Sequence, residues 1–379
     1  MRIGIFGGSF DPIHKEHIRF VHKAIECLRL DKLFVVPAHT PPHKPYKILS
    51  SNEDRLAMCR LAFADMENVE VSDYETSQGG TSYTYLTAEH FRALFPTAEI
   101  FFLVGTDMLR NFPTWRNPQA ILQNVTLAVC GRNDEAGWWE KEQRLFEEKF
   151  GCPFVRVDYN GEDVSSTKIR VLAGAGMRLN EYVPLVVERY IHEKSLYFIP
   201  NAKQALALEK ESRQQHSIRV AELAAKRALQ LKISERKAIE AALFHDCGKN
   251  LDKDSPYLQG FVLPTEWGEV PDSVYHQYAG AYVAEHTFHI TDEDVLNAIR
   301  YHTSARENMS ELEKLIFLSD MLEEERAYEG VELLRELFWK GHGLDECLKE
   351  ALFQTLEFLK TKKADIYPLT QKAYEFYKK

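Results

Sequence analysis

Two groups of residues in this chain have the types and spacing to do chemistry. The first is Gly4-Ile5-Phe6-Gly7-Gly8-Ser9-Phe10-Asp11-Pro12-Ile13-His14-Lys15-Glu16-His17, which ends an apolar strand-like run. Gly7 and Gly8 let the backbone turn close enough for amides to touch a ligand. A helix beginning near Pro12–Ile13 would aim its N-terminal N–H groups and dipole at the same place. His14 and His17 would then share one face of its first turn. Imidazoles there can donate hydrogen bonds to phosphate oxygens whose charge grows during transfer. The pattern is neither GxGxxG nor GxxxxGK[ST], which argues against a dinucleotide fingerprint and a P-loop. Further on, Val164-Ser165-Ser166-Thr167-Lys168-Ile169-Arg170 resembles a helix start with hydroxyls at the cap and Arg170 one turn inside. Such a cap can present amides, hydroxyls and a guanidinium to a triphosphate. The plain alternatives are a strand-to-helix turn with surface histidines, and an N-cap beside a surface arginine.

The second group is His216, the adjacent His245-Asp246, His276, His302 and Asp320. Imidazole and carboxylate ligands spread over several helices can converge on a metal in a bundle core. Mixed N/O ligation suits Fe, Mn, Co or Zn. A bound metal would polarise a phosphoryl oxygen and acidify water, and two metals could clamp both sides of a displacement. A bare His-Asp pair can equally be structural in a chain with 14 histidines, but the ordered series on apolar helices favours ligation. His286 and His289 flank a helix end and are expected to be exposed or capping, while His22, His90 and His342 are expected to be structural.

These groups need scaffolds, and the chain offers two kinds. Up to about residue 197, short apolar runs (Ile3–Phe6, Leu33–Val36, Glu99–Val104, Val125–Val129, Phe154–Val157) alternate with helical patterns such as Ile18–Leu28, Asn52–Ala64 and Thr84–Leu94. That alternation predicts an α/β doubly wound parallel sheet with helices on both faces. From about Ala202 the strand signals vanish. Arg213–Leu229, Glu235–His245, Gln277–His286, Asp292–His302 and Glu311–Leu322 carry apolar residues at helical spacing, so the second half predicts an all-α bundle. The expected domains are 1–198 and 204–379. Glu140–Lys149 and Glu323–Glu336 are expected to be solvated helix faces.

Composition narrows the classes. A length of 379 residues suggests two or three domains, and 45% hydrophobic with 27% charged residues is ordinary for a globular protein. A net charge of −10 argues against a nucleic-acid polymer as partner. No apolar run approaches the roughly 18 residues of a membrane span, and the N-terminus lacks signal-peptide features, so a soluble, cytoplasmic chain is expected. The six cysteines show no CxxC spacing, which disfavours a disulfide framework or structural zinc.

GGSFDPIHxxH together with SSTxIR resembles the HIGH-type nucleotidyltransferase superfamily, and more closely the bacterial nicotinate-mononucleotide adenylyltransferases. Pro37–Lys44, Ser82-Tyr83-Thr84, Gly105-Thr106-Asp107 and Pro113-Thr114-Trp115-Arg116 occur in that family's order. The resemblance implies that ATP, with Mg²⁺, and nicotinate mononucleotide give a dinucleotide and pyrophosphate. It places His14, His17, Ser166, Thr167, Arg170 and Lys44 at the ATP phosphates, with Gly7, Gly8, Ser9, Phe10 and Ser165 also at the nucleotide. Gly105 and Asp107 would lie at the riboses, Trp115 would stack on the pyridine ring, and Thr84 would receive the nicotinate carboxylate. The family usually has Gly just before the second histidine, where this chain has Glu16. A carboxylate there would repel an anion unless it points away, as adjacent helix residues do.

In the second half, His245-Asp246-Cys247-Gly248-Lys249, Arg300–Ser310 and Glu313–Asp320 resemble the HD-domain phosphohydrolases, among them the bacterial symmetrical diadenosine-tetraphosphate (Ap4A) hydrolases. That resemblance implies a two-metal centre, iron first with Mn or Co as alternatives, cutting Ap4A into two ADP. His216, His245, Asp246 and Asp320 would hold one metal, and catalytic Asp246 would bridge to a second on His276 and His302. Lys249, Thr303 and Arg306 would meet the polyphosphate. The local sequence departs from the usual pattern around Cys247-Gly248 and at Met321-Leu322-Glu323. The whole chain is therefore expected to be a bifunctional enzyme of small nucleotides, with homo-oligomerisation left open. A nucleotide-sensing helical half, or a hydrolase of another nucleotide, are the alternatives.

Overall fold

A computed structural model of the protein describes residues 1–41, 49–131 and 137–379. It divides into two compact units, Met1–Ser166 with Leu179–Leu196, and Thr167–Arg178 with Tyr197–Lys379.

The first unit is built on six parallel strands: β1 Arg2–Gly8, β2 Lys32–Pro37, β3 Val69–Val71, β4 Glu99–Gly105, β5 Thr126–Gly131 and β6 Val155–Asp158. Their order is β3-β2-β1-β4-β5-β6, so the expected doubly wound sheet is present. The central strands are apolar on both faces because helices cover both: Ile100 to Val104 of β4 are all buried. β3 is the strand the sequence pattern misses, a three-residue Val-Glu-Val at the sheet edge, too short to show alternation. The strand order reverses between β1 and β4, and a doubly wound sheet binds ligands outside the carboxyl ends of its strands at such a switch. Gly7-Gly8 ends β1 and Gly105 ends β4, so the candidate phosphate turn stands at that point.

The second unit is helical, as expected. Helices Glu211–Ala228, Glu235–Phe244, Asp272–His286, Glu293–Arg300 and Glu311–Leu322 carry the candidate metal ligands or flank them. Ala221, Ala224, Ala225 and Ala228 of the first helix and Ala238, Ala241 and Ala242 of the second are fully buried, and these small side chains let the two helices pack closely. After His245-Asp246 the chain meets the helix Asp272–His286 at Gly248. A Cβ there would lie 2.4 Å from the Gly280 nitrogen and 2.8 Å from the His276 carbonyl oxygen, so only glycine permits the approach.

Within this unit the guanidinium of Arg170 is clamped by both carboxylate oxygens of Glu235, and it also donates to Thr167 Oγ1 at 3.0 Å. Both ion-pair side chains are nearly buried. Breaking such a pair leaves an uncompensated buried charge, which costs about 3–5 kcal/mol. Glu235→Ala is therefore expected to lower the stability of the second unit by that order in urea unfolding. An unchanged midpoint would show that the pair is solvated in solution. No helix among the described residues is long and apolar enough to cross a membrane.

Candidate active sites

The first site grows from the end of β1. Its helix spans Lys15–Leu28 and so begins later than Pro12–Ile13, the expected start. The reason is local. His14 is extended (φ −140°, ψ 171°) and acts as N-cap, and its backbone N–H donates to His17 Nδ1 at 3.2 Å. The two rings stack with centroids 3.6 Å apart. Because His17 Nδ1 accepts, the neutral ring carries its proton on Nε2, ready to donate. Burial pulls His14 down from 6.5 to about 4, against a smaller opposing effect of Glu16, and burial followed by His14 pushes His17 well below 6.5. Both are neutral donors at pH 7.

The shift on His14 has a consequence for stability. In the unfolded chain its imidazole titrates near 6.5. Between pH 6.5 and about 4 the unfolded state binds more protons than the folded state, so stability falls as pH drops through this window. Denaturant unfolding of the first unit from pH 7 to pH 4 is expected to show this loss, with a shallower slope in His14→Gln. Equal slopes in the two chains would contradict it.

Glu16 points away from the phosphate turn. Its carboxylate accepts from the Tyr159 hydroxyl at 2.5 Å and from the Glu162 N–H at 2.9 Å, and it pairs with Arg19. Burial would raise its pKa, but these partners outweigh burial and hold it below the usual value. The departure from the family pattern thus fastens the 159–162 loop to the histidine helix. The cap segment is fastened too, since Ser166 Oγ donates to the Pro12 carbonyl at 3.0 Å. Ser165 and Thr167 are half-buried beside it.

Phe10 adopts a left-handed backbone (φ 47°) and sets its ring edge-on to Phe6 and His17. A Cβ on Gly8 would meet that ring at 2.8 Å, which is why glycine stands there. Sequence reasoning missed Arg55. Fully buried, it donates to the Ser9 carbonyl at 2.8 Å and to Asn52 Oδ1 at 2.6 Å, holding the loop after β1. The signal was slight, one arginine in an ordinary helical pattern.

Two cavities open here and share Phe6 and Gly105 as walls. One, of about 360 Å³, is lined by His14 and His17. The other, of about 510 Å³, is lined by Gly7, Gly8, Ser9, Thr84 and Trp115, with Tyr83, Arg116 and Glu75 beyond the expected set. Trp115 leans on Phe112 (5.3 Å between centroids) and Phe102, so it is both core and cavity wall. Asp107 is exposed at the start of the helix Thr106–Asn111, its Oδ1 only 2.5 Å from where a Gly105 Cβ would be. Lys44 lies outside the described residues.

The second site brings all six expected ligands together. Three overlapping groups (His216, His245 and Asp246; His245, His302 and Asp320; Asp246, His276 and His302) each offer donor atoms within 4.8 Å of one another. His216 Nε2 lies 2.8 Å from Asp320 Oδ1, and Asp246 Oδ1 lies 3.4 Å and 3.6 Å from Nε2 of His276 and His302. His245 Nδ1 donates to the Ala242 carbonyl at 2.6 Å and His302 Nδ1 to the Ile299 carbonyl at 2.8 Å, which leaves a lone pair on each inward Nε2. His245 Nε2 is buried with no hydrogen-bond partner among the described residues. An orphaned acceptor inside a ring of acceptors fits a divalent cation.

The electrostatics agree. Burial would raise Asp246, but His245, His302 and Lys249 outweigh it and hold the carboxyl far below its ordinary range. Burial lowers His245 to about 4 despite Asp246, and burial, His302 and Lys249 lower His276 to about 2. His245 and His276 are therefore neutral and Asp246 is ionised, the protonation states that metal ligation requires.

Of the expected polyphosphate contacts, Lys249 Nζ and Thr303 Oγ1 reach His276 Nε2 at 2.8 Å and 3.1 Å. Arg306 is instead held by both oxygens of Glu313 and stacks over Tyr301. His286 and His289 are exposed. One expectation is corrected: Glu323, assigned to a solvated face, is only 3% exposed and accepts from His216 Nδ1 at 3.2 Å. It caps the helix Glu311–Leu322, and the chain leaving that helix folds it back over His216. Also missed were Arg213, which donates to Asp246 Oδ2 at 2.9 Å, and Arg326, which donates to Asp320 Oδ1 at 2.6 Å. Arg213 had a signal in its spacing, one helical turn before His216, whereas Arg326 lies beyond the helix of Asp320 and had none.

Residues 5–172 match the cytidylyltransferase-like family and residues 213–325 match the HD domain. The chain is 31% identical to the probable nicotinate-nucleotide adenylyltransferase/Ap4A hydrolase of Mycoplasma genitalium over 342 residues, 88% of this chain and 91% of that protein. It is 41% identical over 183 residues to the probable nicotinate-nucleotide adenylyltransferase of Thermotoga petrophila, 48% of this chain and 91% of that one. A solved structure from Clostridium acetobutylicum, of a predicted HD superfamily hydrolase involved in NAD metabolism, is 30% identical with a TM-score of 0.41, covering 46% of this chain and 94% of that one. With one relative 31% identical and matched over 91% of its length, this chain, in which a cytidylyltransferase-like domain precedes an HD domain, belongs to the family of nicotinate-nucleotide adenylyltransferase/Ap4A hydrolases.

Proposed function

We propose that the chain is a bifunctional enzyme. Its cytidylyltransferase-like domain transfers AMP from ATP to nicotinate mononucleotide, and its HD domain hydrolyses Ap4A to two ADP, with a working boundary at 198–204. A cytoplasmic location suits ATP as substrate. The observation that carries the reading is the pairing of two prepared sites: cavities that share Phe6 and Gly105, and a six-ligand cluster around the orphaned His245 Nε2.

In the first reaction a phosphate oxygen of the mononucleotide attacks the α-phosphorus of MgATP. The bond from that phosphorus to the β-bridging oxygen breaks, and pyrophosphate leaves. His17 Nε2–H and His14 stabilise charge growing on the phosphate oxygens, and the amides after Gly8 share that work. Ser165 and Ser166 remain assigned to the triphosphate, Thr84 and Trp115 to the nicotinate. No covalent nucleophile is involved, so the rate comes from positioning and charge stabilisation.

In the second reaction one water oxygen joins one of the two central phosphorus atoms, and the oxygen bridging them departs with the other half. The water's protons are released or retained on product phosphate. His216, His245, Asp246, His276, His302 and Asp320 would hold the metal, iron first with manganese or cobalt as alternatives. When bound, the metal supplies Lewis acidity toward phosphoryl oxygens and water. Lys249 and Thr303 orient the polyphosphate from the His276 side.

The test is to incubate the chain with Ap4A and Fe, Mn, Co or Mg in turn and identify the products by mass. ADP as sole product supports the reading. AMP with ATP would place the cut elsewhere, and no turnover with any metal would overturn Ap4A as substrate.

A further inference from the structure

We infer that Glu323 is a positioning residue for His216, and that Arg219 holds Glu323 in place; this rests on the metal centre proposed above. Among the described residues, three imidazoles of the cluster have Nδ1 hydrogen-bonded to an oxygen acceptor, whereas His276 Nδ1 meets Lys249 Nζ at 3.2 Å. His245 and His302 donate to main-chain carbonyls, whereas His216 donates to a carboxylate, Glu323 Oε1, at 3.2 Å. A carboxylate is the stronger acceptor, so it locks the Nδ1–H tautomer and makes Nε2 a better donor to a cation.

The carboxylate is itself prepared for this. It is only 3% exposed, and its second oxygen accepts from Arg219 Nε at 2.6 Å and from the Glu325 N–H at 3.0 Å. Arg219 follows His216 by one turn on the helix Glu211–Ala228, so both of these side chains reach Glu323 from that helix. Glu323 itself caps the helix Glu311–Leu322, which carries Asp320. The contact therefore ties together the two helices that bring His216 and Asp320 within 2.8 Å. Without Glu323, His216 is free to take the tautomer whose Nε2 is protonated and cannot bind a cation. A salt bridge that merely closed a helix end would leave metal affinity alone.

The experiment uses the full chain, stripped with a chelator and titrated with Mn²⁺, following loss of the free-ion EPR signal. Co²⁺ absorption bands report the ligand field in parallel. Glu323→Ala is expected to weaken Mn²⁺ binding by about 10–100-fold. Glu323→Gln, whose amide oxygen still accepts from Nδ1–H, is expected to bind more tightly than Glu323→Ala yet more weakly than the native chain. The Co²⁺ bands shift in both variants. Glu324→Gln, which removes an exposed neighbouring carboxylate, binds as the native chain does. If Glu323→Ala does not fold, Glu323→Gln decides alone. Native affinity and native Co²⁺ bands in folded Glu323→Gln would overturn the inference. A native chain that takes up Mn²⁺ but leaves Ap4A intact would remove only the substrate reading, because the titration needs no substrate. A native chain that takes up neither metal would overturn both.

Discussion

Asp246→Ala is expected to lower Ap4A hydrolysis by about 10³-fold or more while deamido-NAD synthesis proceeds at the native rate. The expectation follows from where the carboxylate stands. Its Oδ1 faces Nε2 of His276 and His302, and its Oδ2 lies 3.8 Å from His245 Nε2. Of the six ligands, Asp246 belongs to two of the three overlapping groups, so its loss damages both halves of the cluster. Lewis-acid stabilisation of a phosphoryl transition state is worth several kcal/mol, and about 4 kcal/mol corresponds to 10³ in rate. The variant also leaves Arg213, which pairs with Asp246, without its carboxylate in a site already rich in cations. Asp246→Asn keeps the shape and removes the charge, and is expected to lose nearly as much. Both reactions are assayed on one preparation. Hydrolysis within tenfold of native in Asp246→Ala, or equal loss of both activities, would sink the assignment.

The second large effect lies in the other domain. His17→Ala is expected to lower kcat for adenylyl transfer by about 10²–10³-fold, the cost of removing one prepared donor to a developing charge. The structure makes His17 such a donor. Its Nδ1 is committed to the His14 N–H, so the proton is on Nε2, and burial keeps the ring neutral. A donor aimed at charge that appears only in the transition state alters kcat more than KM. The KM for nicotinate mononucleotide is expected to stay within a few-fold, because Thr84 and Trp115 line the other cavity. His14→Ala is expected to act in the same direction and also to loosen the start of the helix. A matched rise in KM with kcat unchanged would show that His17 binds substrate without assisting transfer.

These readings came from the sequence with unequal ease. The helices Thr84–Leu94 and Glu311–Leu322 were legible to the residue, since apolar residues recur at helical spacing along both, and Ser310 with Glu313 closes a capping box at the start of the second. The strands β1 and β4 were legible because a buried parallel strand is a continuous apolar run between turns. β3 was not, because three residues at an edge carry no pattern. The start of the first helix shifted to Lys15 because His14 serves as its cap, a role outside the usual Ser, Thr, Asp and Asn.

What the sequence determined by itself was chemical type and order: the glycine turn with its two histidines, and six metal-competent side chains on apolar helices. Residue type is local, and apolar periodicity says which elements will be buried. Tertiary structure alone decided which groups meet and which partners claim them. His216 and Asp320 lie 104 residues apart and come within 2.8 Å only when their helices pack. Glu16 became a latch for the 159–162 loop, and Glu323 left the solvated face that its acidic neighbours suggested. Arg170, placed at ATP by its motif, is gripped by Glu235 from 65 residues onward. A charged side chain leaves water only for a partner that replaces its hydration, and which partner stands within reach is set by packing between distant segments.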